Sequence, residues 1–215
     1  MKVGRVTLLP ENDTTNGWSA VLPRRPPKPA LSREISADWA VIGGGFAGLA
    51  AARRLADQRP GDQVVVLEAG AAGEGAQGRN AGFAIDLPHN LGASLAELDN
   101  AERHKRLFDK RYPNLPQVTI AHTWAGYICL TRNTAPGFGE VAPNLFASVG
   151  QNAVGMTKGT IGGLLLADKA LGVANPLIAD IEAVSGPAWL PPRPALDIGV
   201  RARFAFELWR ARAEA

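Results

Sequence analysis

The sequence predicts an α/β fold with a parallel sheet, and three observations predict it. A glycine-rich turn, Gly43-Gly44-Gly45-Phe46-Ala47-Gly48, joins the apolar run Trp39-Ala40-Val41-Ile42 to the alanine-rich run Leu49-Ala50-Ala51-Ala52. A second β-branched run, Gln63-Val64-Val65-Val66-Leu67, follows the breaker Arg59-Pro60-Gly61-Asp62. An acid, Glu68, closes that run. Strand, tight turn, helix and second parallel strand is the unit that this order describes.

Before it, residues 1–37 have little periodicity and much proline. The stretch Leu22-Pro23-Arg24-Arg25-Pro26-Pro27-Lys28-Pro29 predicts an extended, polyproline-like arm, a strap on the domain surface with Trp18 as its anchor. Residues 38–42 read as the first buried parallel strand and residues 49–57 as an amphipathic helix.

The turn has the spacing G-x-G-x-x-G. Gly43 permits the tight exit from the strand, Gly45 lets backbone approach a pyrophosphate, and Gly48 lets the helix pack closely on the sheet. The helix beginning near Phe46 and Ala47 directs unpaired amides and its positive dipole end at the phosphates. Glu68 lies about 20 residues past Gly48, where an acid accepts both hydroxyls of an adenosine ribose. With no arginine immediately after it, a free 2′-hydroxyl is favoured, which means FAD or NAD rather than NADP. The bland alternative is a glycine turn in an unrelated α/β fold, with Glu68 merely solvated.

Residues 69–82 are too glycine-rich for helix or strand and predict a loop whose backbone can lie against a flat ligand; by composition alone the loop also reads as a linker. Residues 94–110 predict a charged surface helix with Leu95, Leu98 and Leu107 on one face, ended by Arg111-Tyr112-Pro113. Residues 119–131 alternate enough for strands, 132–140 form a loop, and 145–149 a buried strand. Residues 156–171 predict a helix with close-packing glycines. Its start, Gly155 to Lys158, directed at the pyrimidine edge of a flavin would stabilise negative charge on the reduced ring through the amides of Met156 and Thr157 and the side chain of Lys158. A solvated Lys158 is the alternative. Residues 175–184 predict a short helix, 187–194 a turn-rich connection, and 197–213 a terminal helix docking through Ile198, Phe204, Leu208 and Trp209. Its arginines also fit a membrane-surface helix, a reading outweighed by docking.

The 215 residues, 46% hydrophobic and 20% charged, suffice for one sizeable core. A net charge of +3 with dispersed arginines argues against nucleic acid. The single cysteine, Cys129, excludes an internal disulfide and fits a reducing compartment, while His89, His104 and His122 form no metal motif. No stretch is long and apolar enough for a signal peptide or membrane span, so cytoplasm is the expectation.

Residues 41–48, Glu68-Ala69 and the segment Gly75-Ala76-Gln77-Gly78-Arg79-Asn80-Ala81-Gly82 resemble the D-amino-acid-oxidase-like family of FAD-dependent oxidoreductases. The branch with gamma-glutamylputrescine oxidoreductases is most similar, and it too has an arm like Asn16-Gly17-Trp18. The resemblance implies a Rossmann-like FAD-binding domain with a parallel sheet. It puts Arg79 and Asn80 beside the flavin, and Gln77 where the family has serine. A Trp-x-Gly element at Trp124-Ala125-Gly126, then Pro136, a strand and the turn at Gly155, resembles the family's C-terminal signature. Cys129 is not where covalent-flavin relatives carry theirs, which implies non-covalent FAD and an inert core thiol.

The family's substrate domain is largely absent. Only the stretch from Phe83 to Val118 stands between the two signatures, with an apparent join near 107–111. The implied organisation is a proline-rich arm at 1–37, an FAD-binding domain at 38–174 and a helical tail at 175–215. The implied function is oxidation of a small amine or amino acid by hydride transfer to flavin, in which Arg79, Asn80 and His122 are the retained groups with no assigned acid or base role. The alternatives are a non-catalytic flavin-binding remnant, one part of a larger oxidase completed by a partner chain or homo-oligomer, and an NAD-binding regulatory domain.

Overall fold

The computed structural model describes residues 16–80, except 24, 25 and 27, and residues 101–211, except 123 and 125. Two compact units divide the chain, Met1–Asn80 with Gly126–Trp189, and Ala81–Ala125 with Leu190–Ala215.

In the first unit, β1 (Trp39–Ile42) and β2 (Val64–Leu67) pair in parallel, Trp39 opposite Val64 and Ile42 opposite Leu67. Between them α2 (Phe46–Gln58) crosses one face, after the short N-terminal helix α1 (Gly17–Val21). Trp39, Val41 and Val64 pack with Ala51, Leu55, Ala167 and Leu171 to form the core. Ala40 and Ile42 of β1 alternate away from this core and are exposed, Ile42 at 83%, so β1 is not the buried strand expected. Successive side chains of a strand point to opposite faces, so Trp39 and Val41 join the core while Ala40 and Ile42 point away from it.

The second half of this unit holds an antiparallel hairpin, β3 (Gly137–Ala142) and β4 (Leu145–Val149), with an irregular register between Glu140 and Ala142. Residues 132–140, read as loop, thus already enter a strand, and β4 is not buried, since Leu145 and Val149 are exposed. A π-helical turn, Gly155–Gly159, leads into α4 (Thr160–Leu171), which ends at Gly172 in the left-handed conformation (φ 69°). The short α5 (Leu177–Ala183) follows.

Helices α2 and α4 pack face to face through small residues. A Cβ on Gly163 would overlap the Ala47 carbonyl oxygen, so the backbones meet where only hydrogen fits. Deeper along the same interface Asp168, 1% exposed, accepts from Arg54 Nε at 2.7 Å, from Arg54 Nη2 at 3.3 Å and from Asn175 Nδ2 at 2.9 Å. The Arg54 hydrogen bond holds the Asp168 carboxyl below its ordinary 3.8, burial pushes it up, and the Asn175 bond again lowers it. A depressed folded-state pKa contributes stability above the unfolded value, lost as pH falls through the folded one. Replacing Asp168 by alanine is expected to cost about 2 kcal/mol near neutral pH, with less difference from wild type in acid. Urea midpoints at pH 7 and pH 3 check this, and equal losses at both would refute it.

Further corrections concern less regular stretches. Of residues 119–131, read as strands, those described lie in no strand, and Ile120, Tyr127 and Ile128 are exposed. Cys129 is accordingly exposed, not a core thiol. In the arm, residues 17–21, just before the stretch read as extended, form a helix. In the second unit, α3 (Ala101–Arg111) and α6 (Ala195–Ala211) are helices. The earlier part of the 94–110 helix lies outside the described residues. Of the apolar set assigned to docking on α6, Ile198, Phe204 and Trp209 are exposed.

Candidate functional site

The three glycines of the first turn separate by physical role. Gly43 has φ 97°, a backbone that side chains rarely adopt. At Gly48 a Cβ would overlap the Gly43 carbonyl oxygen, so the helix can leave the strand this tightly only without one. Gly45 has neither constraint. Its φ of −82° and ψ of −175° suit any residue, and among the described residues a Cβ would meet only the end of the Gln77 side chain, Oε1 at 3.4 Å and Cδ at 3.7 Å. The fold itself does not require glycine there.

Gly45 is also the N-cap of α2 and offers no side-chain cap bond. The amides of the first turn, those of Phe46 and Ala47 among them, therefore lie at a helix start with glycine around it. That arrangement suits an anion.

Glu68, just past β2, is already oriented toward this turn. Its Oε2 accepts from Gly44 N at 2.7 Å and its Oε1 from Gly70 N at 3.1 Å. A carboxylate has further lone pairs, so two hydroxyls can still be received. Ala69 follows Glu68 in an exposed bend.

The loop after Ala69 is not wholly irregular: Ala76–Arg79 forms one turn of 3-10 helix. Gly78 makes the turn possible, because a Cβ there would overlap the Gly73 carbonyl oxygen. The turn puts Gln77 against Gly45 and buries Arg79, whose Nε donates to Glu74 O at 3.3 Å. Asn80 Nδ2 donates back to Gln77 O. Ala81 and Gly82 lie outside the described residues.

The late glycine-rich turn meets the early one. A Cβ on Gly159 would stand 3.3 Å from Phe46 Cβ and 3.6 Å from Ala47 N, so the π-helical turn holding Gly155, Met156, Thr157 and Lys158 abuts the start of α2. Met156, Thr157 and Lys158 are exposed. The 43–48 turn is thus met by Glu68 at Gly44, by Gln77 at Gly45 and, from more than 100 residues away in sequence, by Gly159 at Phe46 and Ala47. His122 belongs to the second unit and is exposed.

The burial of Asn16 was not foreseen from sequence, whereas Trp18 was expected to anchor the arm. Asn16 is fully buried and Trp18 donates Nε1–H to Asn80 O at 2.9 Å. An asparagine in a proline-rich arm gives little sign of burial; its place before a short helix, with Ser19 three residues on, is the one usable signal. Among the described residues no group of histidine, cysteine and acids is arranged to hold a metal, and no helix is long and apolar enough to cross a membrane.

Residues 38–98 match a family described as FAD dependent oxidoreductase (DAO). A probable oxidoreductase OrdL of Rhizobium meliloti (strain 1021) is 38% identical over 99 residues, which is 41% of this chain and 23% of that protein. The gamma-glutamylputrescine oxidoreductase of Escherichia coli (strain K12) is 42% identical over 73 residues, 34% of this chain and 17% of the relative. A probable oxidoreductase OrdL of Haemophilus influenzae (strain ATCC 51907 / DSM 11121 / KW20 / Rd) is 48% identical over 78 residues, 36% and 18%. The matches thus span less than a quarter of each of these relatives. No solved structure matches the chain to a significant degree.

Proposed function

We propose that this chain, whose residues 38–98 match FAD dependent oxidoreductases, binds FAD non-covalently in a Rossmann-like domain and serves oxidation of a small amine or amino acid in the cytoplasm. The observation that carries the cofactor reading is Gly45. It is a glycine that neither backbone geometry nor packing demands, at the start of a helix with no side-chain cap. A diphosphate needing close backbone approach supplies the demand. NAD is disfavoured because the family matched is FAD-dependent.

In this reading the first turn of α2 binds the diphosphate, and Glu68, held by the amides of Gly44 and Gly70, receives the ribose hydroxyls. Ala69 lines the adenosine end. Gln77, Arg79 and Asn80, with Ala81 and Gly82 after them, border the ring system. The amides of Gly155, Met156 and Thr157 and the Lys158 ammonium lie toward its pyrimidine edge. Bound FAD supplies a hydride acceptor. The chain's own contribution is binding and orientation, plus positive potential from two helix starts.

A second reading has its own support. The matched segments cover only 17% to 23% of three relatives, so most of the length of those proteins has no matched counterpart here. The chain then holds FAD without turnover, or works with a partner chain or second copy that completes the site. The arrangement of arm 1–37, FAD-binding domain 38–174 and tail 175–215 belongs to the same proposal.

The visible spectrum of the purified chain, recorded without oxygen before and after adding polyamines and amino acids, tests both readings. Oxidised-flavin bands are expected. Bleaching by one amine assigns oxidation to this chain, and bands that persist assign it the holding role. No flavin uptake from added FAD overturns the proposal.

A further inference from the structure

Asn16 is 0% exposed although it precedes a proline-rich, exposed arm. Its Oδ1 accepts from Ser19 N at 2.9 Å and caps α1. Its Nδ2 lies 3.1 Å from Ser19 Oγ, 3.1 Å from Gly73 O and 3.0 Å from Glu74 Oε2. One side chain thus fixes a helix start on one side and the entry to the 73–80 loop on the other. Capping α1 uses the acceptor alone; both bonds to the loop use the donor.

A second tie lies at the loop's other end. Trp18 Nε1–H reaches Asn80 O at 2.9 Å, while the rest of that indole is partly exposed. Between the ties, Gly78 N donates to Gly75 O at 3.1 Å, Asn80 Nδ2 to Gln77 O, and Gln77 lies against Gly45. The arm therefore grips both ends of the segment that sets Gln77 against Gly45 at the start of α2 and carries Arg79 and Asn80 beside it in sequence.

We propose that Asn16 is a positioning residue of the cofactor site, and that the segment from Asn16 to Val21 is a clamp setting the conformation of the 73–80 loop, and through it the affinity for the bound dinucleotide. The inference rests on the FAD reading for its ligand, but the clamp itself has a readout that needs none. A polar side chain buried this fully and bonded across 57 and 58 positions of sequence restrains both segments it joins. A surface strap would need only apolar contact.

Asn16→Asp retains the acceptor for Ser19 N, and so the α1 cap, but has no N–H for Gly73 O and adds a charge beside Glu74. Trp18→Phe keeps a ring and removes only the bond to Asn80 O. In the cofactor-free full chain, amide hydrogen exchange over residues 73–80 is expected to speed about tenfold in Asn16→Asp and severalfold in Trp18→Phe, with exchange in α2 and α4 unchanged. FAD dissociation constants, read from flavin fluorescence, are expected to rise in the same order. Should Asn16→Asp fail to fold, Trp18→Phe decides alone. Unchanged loop exchange overturns the clamp. Faster loop exchange with unaltered FAD affinity overturns its role in positioning. A wild-type chain that takes up no FAD overturns the function reading instead, while loop exchange still scores the clamp.

Discussion

Gly163→Ala is expected to lower the stability of the first unit by about 3 kcal/mol or more, enough to unfold much of a chain with so small a core. The new Cβ would overlap the Ala47 carbonyl oxygen and stand 2.9 Å from Ala47 C and 3.0 Å from Ala47 Cα. All three atoms belong to the backbone of α2, so no side chain can rotate out of the way. The helices would have to separate, drawing Ala51 and Leu55 from Ala167. Helix propensity acts in the opposite direction, since alanine in a helix interior is favoured over glycine by roughly 1 kcal/mol. The sign of the measured change therefore decides which effect governs the site. A urea titration followed by circular dichroism reads it. Gly61→Ala, with nothing within 4 Å of its added Cβ, is the control and is expected within about 0.5 kcal/mol of wild type. A Gly163→Ala midpoint at or above the control's would show that α2 and α4 are not in this close approach.

Gly45→Val is expected to separate folding from binding. The backbone at 45 is extended, and the only neighbour of a Cβ is the flexible end of Gln77, so the urea midpoint should stay near that of wild type. Valine's methyl groups would stand where the diphosphate must approach. FAD affinity is expected to fall at least about a hundredfold, roughly 2.7 kcal/mol. Equilibrium dialysis with FAD measures it. Retained affinity would move the cofactor away from this turn, and a collapsed midpoint would show that Gly45 has a packing role after all. Gly48→Val gives the contrast, because its Cβ meets the Gly43 carbonyl and should impair folding with or without cofactor.

The first half of the fold was legible in the sequence for local reasons. Residues 39 to 68 encode each element by a short-range signal, and β1, α2 and β2 begin within three residues of their expected positions. For the candidate site, the residues singled out by motif are neighbours in space at two points, Glu68 beside Gly44 and the late turn beside Phe46. What was not legible depends on partners distant in sequence. Tyr127, Ile128 and Cys129 have strand-like composition, yet a strand exists only when another pairs with it. Conversely, Gly137 and Gly139 read as loop, but β4 accepts them into a hairpin in which Gly139 takes φ 122°. Asn16 is a polar residue whose burial follows from a loop 57 positions away.

The Arg54–Asp168 bond spans 114 positions, and that separation has a consequence during synthesis. At about 5–20 residues per second, a ribosome needs roughly 6–23 seconds to extend the chain from one partner to the other. Once β1, α2 and β2 exist as nascent chain, Ala51 and Leu55 can meet Trp39, Val41 and Val64, but the side of the core closed by Ala167 and Leu171 stays uncovered. The half of the molecule that carries the glycine turn therefore completes its core only once α4 has been made.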